Sequence, residues 1–244
     1  MELADIATIL LLVALEGALS ADNALVLAVL VLPLPRAQQK KALRYGILGA
    51  FVFRIICIFF AKHLIAFNLA KLIGSVYLFY LPIKHFFRQV ESEKDRYIPP
   101  AKAMLGLSLF WSVVTRVELT DIVFAIDSIL VGVAVSKKLW VVITGGILGV
   151  IAIRVVIGKL LGIIEKYPAI VDGAYLIVGW VAIKLLIEYL HGIHWIEWEI
   201  PKWFSLTLIG VIFVASLFYA RKKQAAEIRR DAKAKKILEA SNLD

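Results

Sequence analysis

Apolar residues run along this chain in seven blocks, each near the roughly 20 residues needed to cross ~30 Å of bilayer hydrocarbon, and each closed by proline or by clustered charge. The blocks predict helices over residues 6–32, 42–62, 66–86, 104–135, 139–161, 169–190 and 203–220. Pro33 and Pro35 end the first block, Pro99 and Pro100 close a charged linker before the fourth, and Pro168 and Pro201 precede the sixth and seventh. A residue with fixed φ and no amide hydrogen belongs where helices start or stop. The expected fold class is all-α: a polytopic membrane protein with seven transmembrane helices.

Composition agrees with the pattern. The chain is 61% hydrophobic with a mean hydropathy of +0.85, whereas soluble domains run at about 45–50% apolar. The net charge of +9 does not point to nucleic acid, because the basic residues gather in short loops and in the stretch from Arg221 to Lys236. Arg36, Lys40, Lys41 and Arg44 follow the first block, and Arg88, Lys94, Arg96 and Lys102 follow the third. The alternate connections hold only Lys62 and His63, Lys137 and Lys138, or the glutamate-bearing stretch from Glu188 to Lys202. Basic loops stay cytoplasmic, which places the N-terminus outside and the C-terminus inside. The transmembrane domain is expected over 1–220, and 221–244 as a basic cytoplasmic tail of helical composition. The first block lacks a basic leading region and a small-residue cleavage site, so it reads as a retained span. Cys57 is the only cysteine, which excludes an internal disulfide and a cysteine metal cluster.

The blocks repeat. Gly46-Ile47-Leu48-Gly49 followed by Arg54 recurs as Gly146-Ile147-Leu148-Gly149 followed by Arg154, and Ile83-Lys84 recurs as Ile183-Lys184. Helices one to three (6–86) therefore match helices four to six (104–190), and the seventh (203–220) is an addition. Three spans per copy make the second copy enter from the opposite face. That is a 3+3 inverted-topology repeat, an arrangement that places a site near the membrane midplane.

The most informative polar residues lie inside the apolar blocks. Glu16, Asp22 and Asn23 in the first helix echo Asp121, Asp127 and Ser128 in the fourth, and Glu118 adds an acid whose counterpart in that register is Val13. A carboxylate at the centre of a membrane helix costs at least ~2.5–3.5 kcal/mol, so acids retained there mark function. At 3.6 residues per turn, Glu16, Ser20 and Asn23 share one stripe, as do Glu118, Asp121, Ala125 and Ser128, while Asp22 and Asp127 lie about 100° away. Unwinding at Ser20–Asn23 and Ala125–Ser128 would bring the two aspartates in and free carbonyls as ligands. Carboxylate, amide and hydroxyl oxygens suit hard divalent ions such as Mg²⁺, Ca²⁺ or Mn²⁺ rather than soft ones. Against Glu16, Asp22, Glu118, Asp121 and Asp127 stand Arg54, Arg116 and Arg154, leaving a deficit that one divalent cation would fill. Arg54 and Arg154 are candidates both for structural ion pairs and for movable counter-charges that hold the acids when the ion has left. Asp172 reads as a surface acid at a helix start, Lys84 and Lys184 as snorkelling side chains. Tyr77, Tyr175, Trp195, Trp198 and Trp203 read as interface anchors.

These motifs resemble those of the TerC family of integral membrane proteins: Glu-x-x-Leu-Ser-x-Asp-Asn, here Glu16 to Asn23, and Glu-x-x-Asp-x-x-Phe-x-x-Asp-Ser, here Glu118 to Ser128. The resemblance covers about residues 1–220 and implies an exporter of Mn²⁺ in the inner membrane of a bacterial-type cell. It assigns the metal role to Glu16, Asp22, Asn23, Glu118, Asp121 and Asp127, with Ser20, Ser128, Arg54 and Arg154 in support. No prosthetic cofactor is implied; the metal is cargo. Moving two charges out against 100 mV costs about 4.6 kcal/mol, at ~2.3 per charge, so export needs coupling, most simply to protons. Metal and proton compete for the same oxygens. Two other readings stand beside it: a membrane assembly or scaffold factor using the charged linker and tail, and proton-coupled transport of another solute. An intramembrane aspartyl protease would need two paired aspartates; the larger acid set and the missing Gly-x-Gly-Asp signature argue against an enzyme.

Overall fold

A computed structural model describes residues 3–59, 69–87, 103 and 106–241; within that range the side chains of residues 18, 19, 21, 22, 127, 227 and 231–241 lie outside the description. All regular structure among the described residues is helical: α1 (Leu3–Leu19), α2 (Ala21–Val31), α3 (Arg36–Phe59), α4 (Leu69–Phe86), α5 (Leu109–Val135), α6 (Leu139–Lys166), α7 (Ile170–Gly192) and α8 (Lys202–Ser241). Four of these are long and apolar enough to cross a membrane: α3, α6, α7 and the Lys202–Arg230 part of α8. Ser20 divides the first apolar block into two short helices, and α5 carries Arg116, Glu118, Asp121 and Asp127 within its length.

The boundaries differ from the sequence expectation for local reasons. The amides of Gln38 and Gln39 donate to the Pro35 carbonyl at 2.8 and 2.9 Å, so the basic stretch from Arg36 is already helix rather than loop. α5 begins at Leu109 rather than 104, where the Ser108 hydroxyl accepts the Trp111 amide at 3.4 Å and serves as cap. The seventh apolar block does not stop near 220: α8 continues to Ser241 as one 40-residue rod, about 60 Å long at 1.5 Å per residue.

Beyond Asn23, α2 is apolar all round, and such a segment belongs in the interior. Every residue from Ala24 to Val31 is buried, packed among α5, α6 and α7. Around it α1 lies on α6, α5 on α3, α4 on α7, and α3 against α6. Lipid is as apolar as leucine, so helices in a bilayer gain by close approach at small residues. A Cβ on Gly145 would stand 2.7 Å from Leu12 Cβ, and one on Gly74 would stand 2.7 Å from a Val123 methyl. Gly173 likewise receives Ser216, which seats α8 on α7.

Ion pairs hold the α4–α7 contact near both ends. His85 Nε2 lies 2.8 Å from Asp172 Oδ1 with the imidazole stacked on Tyr175 at 3.9 Å, and Lys71 Nζ lies 3.6 Å from Glu188 Oε2. Asp172 is therefore not a free surface acid, and Tyr175, only 3% exposed, is not an interface anchor. Both follow from α4 laying its last turn across the first turn of α7. Trp195, Trp198 and Trp203 are exposed, as rings at a membrane surface would be.

Candidate cation site

The acids of α1 and α5 are seated by glycines on the helices they cross. Glu16 lies over Gly149 of α6, where an added Cβ would stand 2.5 Å from its Cγ and 2.7 Å from its Cβ. Glu118 lies over Gly49 of α3 so closely that a Cβ there would overlap its carboxylate. Gly46 and Gly146, one turn earlier, leave room for the arginines. Arg54 from α3 donates through Nη1 to the Gly146 carbonyl at 2.8 Å, and Arg154 from α6 donates through Nη2 to the Gly46 carbonyl at 3.4 Å. The repeated Gly-Ile-Leu-Gly and arginine signatures thus interlock across the α3–α6 contact. In this packing Glu118 occupies the place opposite Glu16. The sequence register that pairs Glu118 with Val13 does not describe the spatial correspondence.

The two halves are satisfied unequally. Arg54 Nη2 donates to Glu16 Oε2 at 2.6 Å and to Ser128 Oγ at 2.7 Å, while Ser20 Oγ donates to Glu16 Oε1 at 3.1 Å. Both Glu16 oxygens are engaged. Arg154 Nη2 donates to Asp121 Oδ2 at 2.6 Å, but among the described residues its buried Nε and Nη1 find no hydrogen-bond partner, nor does Glu118 Oε1. An unmet buried polar atom costs about 1–3 kcal/mol, more when charged. The second half therefore holds its polar atoms in reserve.

A small cavity brings six of the expected residues together. Glu16, Ser20, Asn23, Glu118 and Asp121 line it alongside Arg54. The space open to the centre of a water-sized sphere is about 20 Å³, room for about one water or one ion. Ser128 lies instead on a second cavity of about 20 Å³, on the far side of the Arg54–Glu16 pair. The side chains of Asp22 and Asp127 lie outside the described residues. Among the described residues, no three of His, Cys, Asp and Glu are grouped so as to hold a metal ion: arginines hold Glu16 and Asp121.

The expected unwinding is realised in part. Ser20 alone leaves the helical track, at φ −110° and ψ 11°, while its amide still reaches Glu16 O at 2.9 Å and its carbonyl accepts the Ala24 amide at 3.1 Å. α5 runs unbroken through Ala125–Ser128, where Ser128 Oγ donates to the Ala125 carbonyl at 3.1 Å. The glycine seats went unread as seats in the sequence. Their signal was present, since Gly46, Gly49, Gly146 and Gly149 stand at fixed spacing before an arginine in both copies.

An all-helical, strongly apolar chain with paired charges buried between its helices is an integral membrane protein. The chain belongs to the TerC family of integral membrane proteins, whose family model matches residues 1–226. It is 39% identical to YceF, an uncharacterized membrane protein of Bacillus subtilis, over 92% of this chain and 86% of that protein. It is 35% identical to YkoY of the same organism, also an uncharacterized membrane protein, over 83% of this chain and 69% of that one. It is 26% identical to the Escherichia coli (strain K12) protein named "Putative membrane-bound redox modulator Alx", over 86% of this chain and 73% of that one. No solved structure matches the chain.

Proposed function

We propose that this protein exports a hard divalent cation, Mn²⁺, across the cytoplasmic membrane in exchange for protons, as a seven-span transporter built from two inverted three-helix halves and one added helix. The observation that carries the proposal is the convergence of Glu16, Glu118 and Asp121, with Asn23 and Ser20, on one ion-sized cavity between apolar helices. All-oxygen donors favour hard cations. The cavity volume argues against a larger organic solute. The reciprocal placement of Arg54 on Gly146 and Arg154 on Gly46, and of Glu16 on Gly149 and Glu118 on Gly49, supports a two-fold relation between the halves. The basic loops support an outer N-terminus and a cytoplasmic basic end of α8.

In this cycle the metal displaces Arg54 and Arg154 from the carboxylates, and the arginines or protons return when it leaves. Asp22 and Asp127 complete the donor set. The name given to Alx suggests redox work, but Cys57 is the only thiol in this chain and it is buried, so no dithiol can store an electron pair here.

The test is Mn²⁺ movement in proteoliposomes with an imposed pH gradient, alongside Mn²⁺-dependent thermal shift of the detergent-purified protein. Acidifying the side toward which Mn²⁺ leaves should speed its movement, and Mn²⁺ should raise the melting temperature of wild type but not of Asp22→Asn or Asp127→Asn. Flux indifferent to the pH gradient would defeat antiport. Absence of any shift or flux with any divalent ion would defeat cation transport itself.

A further inference from the structure

Among the described residues, the two cavities share two lining residues, Glu16 and Arg54. Their other walls separate by position along every helix that contributes to both. On α1 and α2 the first cavity takes Ser20 and Asn23, while the second takes Leu12 and Leu15. On α3 the division is Ala50 against Ile58, and on α5 it is Asp121 against Gly132. On α6 it is Val150 against Val142. α1 and α6 run one way while α3 and α5 run the other, and all four put the first cavity toward the same end of the bundle. The cavities are stacked along the bundle axis, with the Arg54–Glu16 pair as the partition between them. By the charge of the loops, the first chamber faces the cytoplasm and the second faces outward.

We infer that the Arg54–Glu16 bridge is the gate between two chambers of one cation path, with Arg54 as its moving part; the inference rests on the cation-transport reading above. The chambers differ chemically in the way a gated exit requires. The first is walled by carboxylates, an amide and a hydroxyl, which collect a cation. Among the described residues, the second has Ser128 as its one polar side chain beyond the gate itself.

Arg54 is tethered to suit that motion. Of its three hydrogen bonds among the described residues, two go to Ser128 Oγ and the Gly146 carbonyl, both from residues on the second chamber, and one goes to Glu16, which both chambers share. A cation bound at Glu16 replaces that one bond and repels the guanidinium, which can swing while keeping its other two partners. Gly146 leaves the trough in which it lies, since a Cβ there would stand 2.8 Å from Arg54 Cδ. The positive guanidinium makes the closed gate bar cations by charge as well as by bulk. Arg154 is not equivalent. It lines neither chamber, so it serves as counter-charge to Asp121 and not as a barrier.

The test uses full-length protein in proteoliposomes loaded with a Mn²⁺-quenched dye, at equal pH on both sides, with an inside-negative potential set by potassium and valinomycin. Wild type and Arg54→Lys, which keeps the charge, should admit external Mn²⁺ slowly. Arg54→Ala should admit it severalfold faster, driven by the potential, while retaining the trapped dye. Arg54→Gln, close to arginine in hydrogen bonding and lacking its charge, carries the same expectation should the alanine variant fail to purify intact. If wild type shows Mn²⁺ thermal shift and flux but both neutral variants only lose flux, the gate is overturned and transport stands. If wild type shows neither, cation transport falls and the gate with it.

Discussion

At the residue scale, the site depends on atoms that a sequence scan passes over. Glycines at 49 and 149 leave the space that Glu118 and Glu16 fill. Gly149→Ala would press against Glu16 Cβ and Cγ, close to the α1 backbone and without a flexible end to yield. Overpacking of this kind costs about 1–3 kcal/mol, and the expected result is a lowered melting temperature together with loss of Mn²⁺ protection. Gly158→Ala meets open space and should leave melting unchanged or slightly raised, since alanine favours helix over glycine by roughly 0.5–1 kcal/mol. Asp121→Asn strands Arg154, whose side chain is 5% exposed; breaking a buried pair from one side costs about 3–5 kcal/mol. The double variant Asp121→Asn with Arg154→Leu should recover most of that stability in a thermal melt but not Mn²⁺ movement. Recovery of both would make the pair purely structural.

At the element scale, helix identity was legible in the sequence and helix ends were not. Apolar block length and proline positions locate the helices of the described residues, four of which are long and apolar enough to span, because a backbone in lipid must satisfy its own hydrogen bonds. The divided first rod was partly legible: Ser20, Asp22 and Asn23 are poor company for a membrane helix, yet only Ser20 leaves the helical track. In α5 the same local chemistry produces no break, since Ser128 returns its hydroxyl to the Ala125 carbonyl instead. Asp172 was misread because its partner, His85, lies 87 positions away in sequence. No local pattern announces such a pair. The far end of α8 leads to a prediction at this scale. Its described contacts with the bundle, Ser205 with Trp180, Ser216 on Gly173, and Gln224 with the Lys166 carbonyl, all come before residue 225. Ending the chain after Phe213 should therefore lower the melting temperature by removing the Ser216 seat and the Gln224 tether.

At the scale of the whole molecule, α1 and α5 each lay an acid across a glycine of a neighbouring helix. The α1–α6 and α5–α3 contacts each seat a glutamate on a glycine, but Arg54 pairs with Glu16 itself whereas Arg154 pairs with Asp121 beside Glu118. The repeat in the sequence pointed to a shared site; it could not show that one half would be closed and the other underbonded. That difference depends on side-chain placement around the Gly46–Gly146 axis. One consequence follows from the size of the inner chamber. A cavity with room for about one water-sized body admits an ion only after most of its hydration shell has been shed. Magnesium gives up its waters reluctantly and insists on near-ideal octahedral geometry at 2.0–2.1 Å, whereas manganese binds nitrogen and oxygen donors under looser demands. Selection would then be made at the door, by the work of undressing the ion, before any ligand is chosen. An excess of Mg²⁺ should therefore compete poorly with Mn²⁺ in a flux assay. Equal competition at equal concentration would show that the ion enters with its shell intact.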